Sequence, residues 1–433
     1  MNVTGPFPIA VAAIVGLSML GLPVGHAMIG GSILYMLLAG LDMGTAAEQL
    51  LNGMYTSFLL LAIPLFILAA EFMNSGAIMD RLLVFCNALV GRFRGGMAQV
   101  NVVQSVIFSA MSGSALADAA SSGKLMQSLM TRDGRYPPAF AAALTAASAV
   151  MGPVIPPSIP LVVYALISDT SIGYLLIGGI IPGVLIGLAQ MTLIALVAKR
   201  RNFPVEPPIP LRELPRVTWE AFPALLMPVI LLGCLYSGAT TPTEGAAAAA
   251  MYALVVSAFL YRTMSWRDAY HSLLSSARVT TSIGMLIAGA MVFNYVITIE
   301  NIPKTLAATL QAWELSPFAF LLLANALLLL LGCVLEGTTI LLVFVPVLLP
   351  TAQALGIDPV HFGVMVVVNI MIGLCSPPYG LLLLMMVRVT GVPLKDIIRE
   401  MMPFHAAMVA TLVLITYVPW LTLVLPRLLG YQG

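Results

Sequence analysis

Long uninterrupted apolar stretches constrain this chain more than any other feature of its sequence. The windows 174–198 and 403–425 each reach the roughly 18 to 20 apolar residues that a helix needs to cross about 30 Å of hydrocarbon. Apolar residues make up 60% of the 433 residues and charged residues only 9%, and the mean hydropathy is +1.02. Because the apolar residues run continuously instead of alternating, the sequence predicts a polytopic, all-α protein of the lipid bilayer.

The basic residues indicate how the chain is oriented in the membrane. Lys and Arg are concentrated in segments 92–94, 199–201, 262–278 and 395–399, which the positive-inside rule assigns to the cytoplasm. The net charge is only +1, with no basic patch, so nucleic acid is not an expected partner. The N-terminus lacks a cleavable signal pattern, and residues 6–39 are expected to form two spans.

The two halves of the sequence resemble each other. Segment 136–163, which contains GPVIPPS, aligns with segment 358–384, which contains GLCSPPYG. One constant spacing of 221 residues places Pro138 on Pro359, Gly152 on Gly373 and the first Pro-Pro pair on the second. We therefore predict two copies of one structural unit.

Each copy also contains an apolar segment with a polar interruption at its middle. These segments are 101–130, interrupted by MSGSALAD, and 321–350, interrupted by LEGTTI. About a dozen apolar residues on each side are too few for two crossings, so each segment predicts a re-entrant hairpin. The first hairpin follows Arg92 and Arg94, whereas the second follows a poorly basic stretch. The two are therefore expected to enter from opposite faces, as inverted repeats.

An apolar span, a polar turn and an amphipathic stretch precede each hairpin, which predicts an arm helix along the membrane surface. The predicted division is 1–62 for N-terminal scaffold helices, 63–198 for the first repeat, 199–278 for central scaffold helices and 279–433 for the second repeat. The first repeat contains an arm helix, the hairpin at 101–130 and a broken helix at 138–168. The second contains an arm helix, the hairpin at 321–350, a broken helix at 359–387 and a C-terminal span.

The proline clusters at 152–158 and 373–380 predict helices that are broken inside the membrane. Proline removes a donor and clashes with the carbonyl one turn back, which frees backbone oxygens. In hydrocarbon, unwound backbone persists only where it lines a cavity or binds something. Carbonyls and hydroxyls are hard oxygen ligands, which suit Na+ better than a transition metal.

These patterns predict two Na+ sites, each between a hairpin tip and the broken helix of the same repeat. The alternative is that the small residues merely permit close helix packing. The recurrence of both features in repeat register favours ion sites. The candidate ligands are Ser112, Ser114, Asp118, Gly152, Ile155 and Pro157 at the first site, and Gly337, Thr338, Thr339, Gly373, Ser376 and Pro378 at the second.

Acidic residues lie at both predicted tips. Inside a membrane, an acid is a functional candidate by default. Asp118 is interpreted as a cation ligand or an acceptor that orients the tip, with an N-cap of the returning helix as the equally weighted alternative. A transported solute is expected between the tips, with Ser158, Glu336, Tyr379 and Asn369 as its candidate contacts.

Catalytic motifs are missing from the sequence. There is no HExxH, GxSxG, GxGD, GxGxxG or Walker loop, and the four histidines are far apart. The chain is therefore not expected to be an enzyme. Any uphill transport must draw on an ion gradient or on a separate subunit.

Several long motifs resemble one known family. GSALADAASSGKLMQSL, ATTPTEGAAAAAMYAL, LEGTTILLVFVPVLLP and IGLCSPPYG are similar to the large membrane subunit (DctM-type large permease) of tripartite ATP-independent periplasmic (TRAP) transporters. The resemblance implies the ion-transporter superfamily fold, with a scaffold and an elevator-type transport domain. It also implies Na+ symport of an organic acid, with cations between each tip and its broken helix.

The resemblance further implies partners and a location. A small four-helix membrane subunit, expected here as a separate chain, and a periplasmic substrate-binding protein would act with this chain in the bacterial inner membrane. Two other functions stay open: a stand-alone divalent-anion/Na+ symporter of the same superfamily, and a non-transporting scaffold or channel subunit. Members of this family often carry an Asn shortly after the second Pro-Pro-x-Gly, whereas Leu381–384 stand there in this chain. This difference bears on the identity of the solute more than on the cation sites.

Overall fold

The computed structural model describes residues 5–55, 58–73, 76–205, 210, 212–236, 240–305 and 316–433. Its α-helices are α1 Pro6–Met19, α2 Val24–Ala39, α3 Gly44–Tyr55, α4 Ala62–Met73, α5 Gly76–Val90, α6 Gly96–Ser112, α7 Ala115–Thr131, α8 Pro138–Ala149, α9 Ile159–Ser168, α10 Ile172–Gly178, α11 Ile180–Arg201, α12 Leu214–Tyr236, α13 Pro242–Val255, α14 Trp266–Ile299, α15 Pro317–Gly332, α16 Gly337–Ala354, α17 Pro359–Gly373, α18 Leu381–Thr390, α19 Leu394–Tyr417 and α20 Trp420–Leu428. Short 3₁₀ turns at Phe58–Leu61 and Arg132–Gly134 and a π turn at Val256–Leu260 join them.

Apolar helices of membrane-spanning length dominate the described part of the chain. It contains six of them, or seven if α4 and α5, which bend by 77°, form one span. The predicted all-helical, multi-pass membrane architecture is confirmed. Inversion of the repeats remains a prediction, as does re-entry of the hairpins. Of the two helices in the second hairpin, α16 is long enough to span by itself, with 18 residues, and α15 has 16.

One group of helices packs around α14. Helices α2, α3 and α4 lie against it, α1 packs on α2, and α13 packs on α4. The α2–α14 approach depends on small residues, because a Cβ on Gly25 would lie 2.6 Å from the carbonyl oxygen of Met285. We call α2, α4 and α14 the helical wall.

The two broken helices form the centre of a second group. Helix α9 packs on α17, and α8 packs on α18 and α19. The Tyr164 hydroxyl donates to the Pro359 carbonyl oxygen at 2.8 Å, and Gly363 leaves room for the Tyr164 ring. The Cys375 thiol lies 3.1 Å from the Ala146 carbonyl oxygen. Buried side chains thus join the two sequence repeats directly.

The polar-interrupted segments form helix pairs with bounds close to those expected. The first, expected over 101–130, is α6 and α7, and it starts earlier because Gly95 adopts a left-handed φ of 81° before α6. The second, expected over 321–350, is α15 and α16. It begins with Ser316, whose hydroxyl accepts the Ala319 N–H, and with Pro317 in the first turn.

Residues 6–39, expected to form two spans, form the helices α1 and α2, with a positive φ of 94° at Gly21 between them. With 14 and 16 residues, both are shorter than the helices long enough to cross a membrane by themselves, so two spans here remain a prediction. The first predicted arm helix corresponds to α5, which bends away from α4. Most of the second predicted arm helix falls on residues 306–315, outside the described residues.

Candidate functional site

The first tip, residues 112–117, joins α6 to α7 through a tight turn. Gly113 has a left-handed φ of 61°, and a Cβ at this position would lie 2.5 Å from the carbonyl oxygen of Pro157. Both the backbone conformation and the lack of space require glycine. The first tip therefore lies directly against the break between α8 and α9.

Hydroxyl groups and backbone meet at this contact. A Cβ on Gly152 would lie 3.2 Å from the carbonyl carbon of Ser114, so these two residues face each other. The Ser112 hydroxyl oxygen lies 3.5 Å from both the N and O atoms of Ser114. The structure thus brings together four of the residues predicted for the first cation site: Ser112, Ser114, Gly152 and Pro157.

The break itself is rich in carbonyl oxygens. In a continuous helix, the carbonyls of Gly152 and Pro153 would accept from the residues four positions later. Those residues are Pro156 and Pro157, which have no N–H. The peptide bond between them is cis, as is that of Pro377–Pro378 in the second break. The first break thus leaves the Gly152 carbonyl oxygen without a helical donor beside the tip, whereas that of Pro153 accepts from the Ser158 hydroxyl.

Two other predicted residues at the break contact neighbouring protein groups. The Ser158 hydroxyl donates to the Pro153 carbonyl oxygen and accepts the Leu161 N–H at 3.2 Å, so Ser158 is the N-cap of α9. The Ile155 side chain packs against Gly183 of α11. Neither residue is among those that line the cleft described below.

Asp118 is completely buried behind the first tip. The Ser122 hydroxyl lies 3.2 Å from its Oδ1 atom, whereas Oδ2 has no hydrogen-bond partner among the described residues. The N-cap of α7 is Ser114, which accepts the Ala117 N–H at 3.3 Å. The N-cap alternative for Asp118 is therefore wrong, and its carboxylate remains a buried acceptor one turn from the tip.

A buried polar network behind the first tip escaped the sequence analysis. Asn101 donates to the Thr145 hydroxyl at 2.8 Å, and the Ser148 hydroxyl lies 3.3 Å from Asn101 Oδ1 and 3.0 Å from the Ser105 hydroxyl. The network ties α6 to α8. The sequence does contain a sign of this network, because Asn101 and Ser105 stand four positions apart on one face of an apolar helix.

The second tip, residues 333–339, is organised by an acidic side chain. Glu336 is the N-cap of α16 and accepts from the Thr339 N–H at 3.1 Å and the Thr338 hydroxyl at 2.9 Å. A Cβ on Gly337 would lie 2.9 Å from the Met371 Cε atom of α17. The two threonines, Gly337 and Glu336 thus form one compact turn against the second broken helix.

The second break lies against the end of α15. A Cβ on Gly373 would lie 2.7 Å from the Cα of Gly332, and the Gly380 N–H donates to the Cys333 carbonyl oxygen at 3.1 Å. Gly373 therefore contacts the hairpin at the residues that precede Thr338 and Thr339. The second tip and its broken helix meet as closely as the first pair does.

Ser376 is buried beside Cys333, the first residue of the second tip. Its hydroxyl donates to the Ile372 carbonyl oxygen at 3.0 Å and lies 3.5 Å from Nδ1 of His405 in α19. His405 was not considered for this site, because its place beside Ser376 depends on the packing of two distant helices. Pro378 belongs to the turn that follows Ser376.

Besides Ser158, two more of the four predicted solute contacts do not line the cleft. Asn369 is fully buried, and its amide donates to the carbonyl oxygen of Asn325 at 2.9 Å and to Oδ1 of Asn325 at 2.6 Å. Tyr379 is 60% exposed, and like Asn369 it is not among the residues that line the cleft described below. The structure does not bring these side chains to the space between the tips.

Both tips open onto one cleft of about 800 Å³ between the tips and the helical wall. This volume is typical of small-molecule sites. The wall contributes His26, Glu71 and Arg278, among other residues. Five of the sequence-predicted residues line the cleft: Ser112, Ser114, Glu336, Thr338 and Thr339. The other predicted residues do not line it; Asp118, Gly152, Pro157, Gly337 and Gly373 lie at or behind the tips.

The fold resembles that of solved membrane transporters. The structure of the YdaH transporter of Alcanivorax borkumensis superposes with a TM-score of 0.62 at 16% sequence identity, over 89% of this chain and 89% of that one. MtrF of Neisseria gonorrhoeae gives 0.61 at 13% identity, over 87% and 83% of the two chains. At these identities the likeness concerns the fold.

Sequence comparison is more specific. The large permease protein SiaM of a sialic acid TRAP transporter from Vibrio cholerae is 40% identical over 418 residues, 96% of this chain and 97% of that protein. The large permease protein DctM of a C4-dicarboxylate TRAP transporter from Pseudomonas aeruginosa is 43% identical over 373 residues, 86% and 87% of the two chains. Residues 11–421 match the model of the DctM component of tripartite ATP-independent periplasmic transporters. The resemblance noted in the sequence is thereby confirmed, and the chain belongs to the DctM family of TRAP transporter large permeases.

Proposed function

We propose that this protein is the large transmembrane subunit of a secondary active transporter that imports an organic acid together with Na+. The observation that carries this proposal is that both tips, with Ser112, Ser114, Thr338 and Thr339, open onto one cleft. Hydroxyls and freed carbonyls suit Na+. A solute in the cleft would therefore lie beside both ion sites.

Charge accounts for the coupling. Na+ at each tip would offset the negative charge of a bound carboxylate, and the helix that starts at Ser114 adds its own N-terminal N–H groups on the same side. With solute bound but without Na+, the carboxylate would carry uncompensated charge through a medium of low dielectric constant, which is costly. Only the fully loaded tips, or the empty ones, would then move past the wall as an elevator.

We also propose two partners and a cellular location for the protein. A periplasmic binding protein would deliver the solute, and a small four-helix membrane subunit would support the helical wall in the bacterial inner membrane. The two similar large permeases described above are named as parts of a sialic acid transporter and of a C4-dicarboxylate transporter. Since both are carboxylates, an organic acid is the solute class that fits them together.

A direct test uses proteoliposomes that contain the permease, the small subunit and the binding protein. Uptake of labelled sialic acid and of labelled succinate is measured with and without an inward Na+ gradient. We expect Ser114→Ala and Thr338→Ala to raise the Na+ concentration for half-maximal uptake, and Thr338→Ser to behave as wild type.

Matched controls separate the tips from the rest of the same helices. Ser121 lies on α7 beyond the tip, and Thr351 is buried on α16. The control variants Ser121→Ala and Thr351→Ala should leave the Na+ dependence of uptake unchanged. Identical Na+ dependence in the wild type and in both tip variants would remove these sites from the mechanism.

A further inference from the structure

The cleft contains one strong cation, and it lies on the helical wall. Among the cleft-lining residues that the structure describes, Arg278 of α14 is the only lysine or arginine. Its side chain is exposed and forms no ion pair or hydrogen bond with another described residue. An unpaired guanidinium in a cleft of this size is available to a ligand.

A neighbouring acid is engaged by another residue. Glu71 of α4 also lines the cleft, and its Oε1 atom accepts the Ser275 hydroxyl at 2.8 Å. Ser275 lies three positions before Arg278 on the same face of α14. This hydrogen bond holds the Glu71 carboxylate at Ser275, with no ion pair to Arg278. The guanidinium therefore stays free although an acid lies on the adjacent helix.

Among the described residues, the opposite side of the cleft offers no competing lysine or arginine. The tips contribute the hydroxyls of Ser112, Ser114 and Thr338, and the Glu336 carboxylate is engaged by its own helix. Within the described lining, a carboxylate that enters the cleft thus finds a full positive side-chain charge at Arg278 alone. The planar, forked guanidinium matches a carboxylate with two parallel hydrogen bonds.

We propose that Arg278 binds the carboxylate of the transported acid while the cleft is open. This inference rests on the proposed function, which supplies the acid as solute. Because the helical wall would stay in place while the tips move, the contact exists in only one of the two transport states. Arg278 then raises solute affinity on the side to which the cleft opens, and not on the other.

The charges of α14 identify that side. The helix begins at Trp266 next to Arg262 and Arg267, and Arg278 lies about 18 Å further along its axis. The positive-inside rule assigns this end of α14 to the cytoplasm. Arg278 therefore acts on solute in the cytoplasm, at the stage of release or exchange.

The test measures exchange in proteoliposomes that contain the complete transporter. Uptake of labelled external acid is followed as unlabelled succinate or sialic acid is raised inside the vesicles. We expect Arg278→Gln to raise the internal concentration for half-maximal exchange about tenfold or more. The external KM should stay near the wild-type value, and Arg278→Lys should lie between the two. Ser275→Ala should give a smaller shift in the same direction, because it frees Glu71 to pair with Arg278.

Arg267→Gln is the matched control, since Arg267 is exposed on the same helix and does not line the cleft. An unchanged internal concentration for half-maximal exchange in Arg278→Gln, or an equal shift in Arg267→Gln, would overturn the assignment.

A second experiment, binding of labelled succinate and sialic acid to the purified protein in high Na+, needs no transport. The role of Arg278 in binding the carboxylate is refuted if wild type and Arg278→Gln bind these acids equally, or if the wild type does not bind them. Arg278-dependent binding without any uptake would refute the proposed function alone.

Discussion

Gly332 and Gly373 approach each other so closely that a Cβ on either residue would lie 2.7 Å from the Cα of the other. This contact joins the second hairpin to the second broken helix. Gly332→Ala should therefore lower the free energy of unfolding by about 1–3 kcal/mol through overpacking and reduce uptake. Thermal unfolding of the purified protein and uptake assays measure the two effects.

The control for this change is Gly233→Ala, in α12, where a Cβ meets nothing within 4 Å. Inside a helix, alanine is more favourable than glycine by up to about 1 kcal/mol. Gly233→Ala should therefore not lower the free energy of unfolding. A stability loss at Gly233 as large as that at Gly332 would contradict the account of close packing.

The contact between Gly113 and Pro157 supports a second prediction. Gly113→Ala should abolish most uptake, because it combines a left-handed φ of 61° with a Cβ only 2.5 Å from the Pro157 carbonyl oxygen. Gly134→Ala has a φ of 68° but no atom within 4 Å of its Cβ. Both variants therefore incur a similar backbone strain, of order 1–3 kcal/mol. They differ only in the contact with the Pro157 carbonyl oxygen. Equal uptake by the two variants would show that the contact does not matter.

Asp118 provides a test of the acid behind the first tip. Asp118→Asn keeps the shape of the side chain and removes a buried carboxylate whose Oδ2 atom has no hydrogen-bond partner among the described residues. Because a buried unpaired charge is costly, thermal stability should be unchanged or higher. The Na+ concentration for half-maximal uptake should rise.

Asp133→Asn, in the exposed turn after α7, is the corresponding control and should change neither quantity. Lower thermal stability of Asp118→Asn together with normal Na+ dependence would indicate that Asp118 serves the fold and not the ion.

Arg201 and Glu400 form a forked ion pair between α11 and α19, with distances of 3.0 and 2.9 Å from Nη1 to Oε1 and Oε2. The side chains are 42% and 19% exposed. Glu400→Gln should therefore lower the free energy of unfolding by at most about 1 kcal/mol, and less at high salt. Glu220→Gln breaks the more exposed pair with Arg216 and should cost less still. A salt-independent loss, or a larger loss at Glu220, would contradict this ranking.

The sequence predicted the tips because their signals are local. Small residues such as Gly113, a serine at a helix start and a Pro-Pro pair each restrict the backbone where they stand. The meeting of Ser114 with Gly152 followed from repeat register, and the structure brings them together. Sequence reasoning left an N-cap role for Asp118 open as one of two alternatives, since both Ser114 and Asp118 are good caps and only the turn geometry decides between them.

Contacts between distant helices could not be predicted in this way. Asn369 looked like a polar group available to a solute, but it is engaged by Asn325 of another helix. Ser376 lies beside His405 for the same kind of reason. Arg278 stands in an ordinary span with no local motif, and only the packing of α14 against the tips places it in the cleft.

Solute and Na+ are proposed to cross together because both tips must be loaded. In a double-label flux experiment, radioactive Na+ and labelled acid are followed into the same proteoliposomes. We expect the acid to enter only with Na+, at a fixed ratio of Na+ to acid that Ser114→Ala leaves unchanged while it raises the Na+ concentration needed for half-maximal uptake. Accumulation of the acid without accompanying Na+ entry would contradict it.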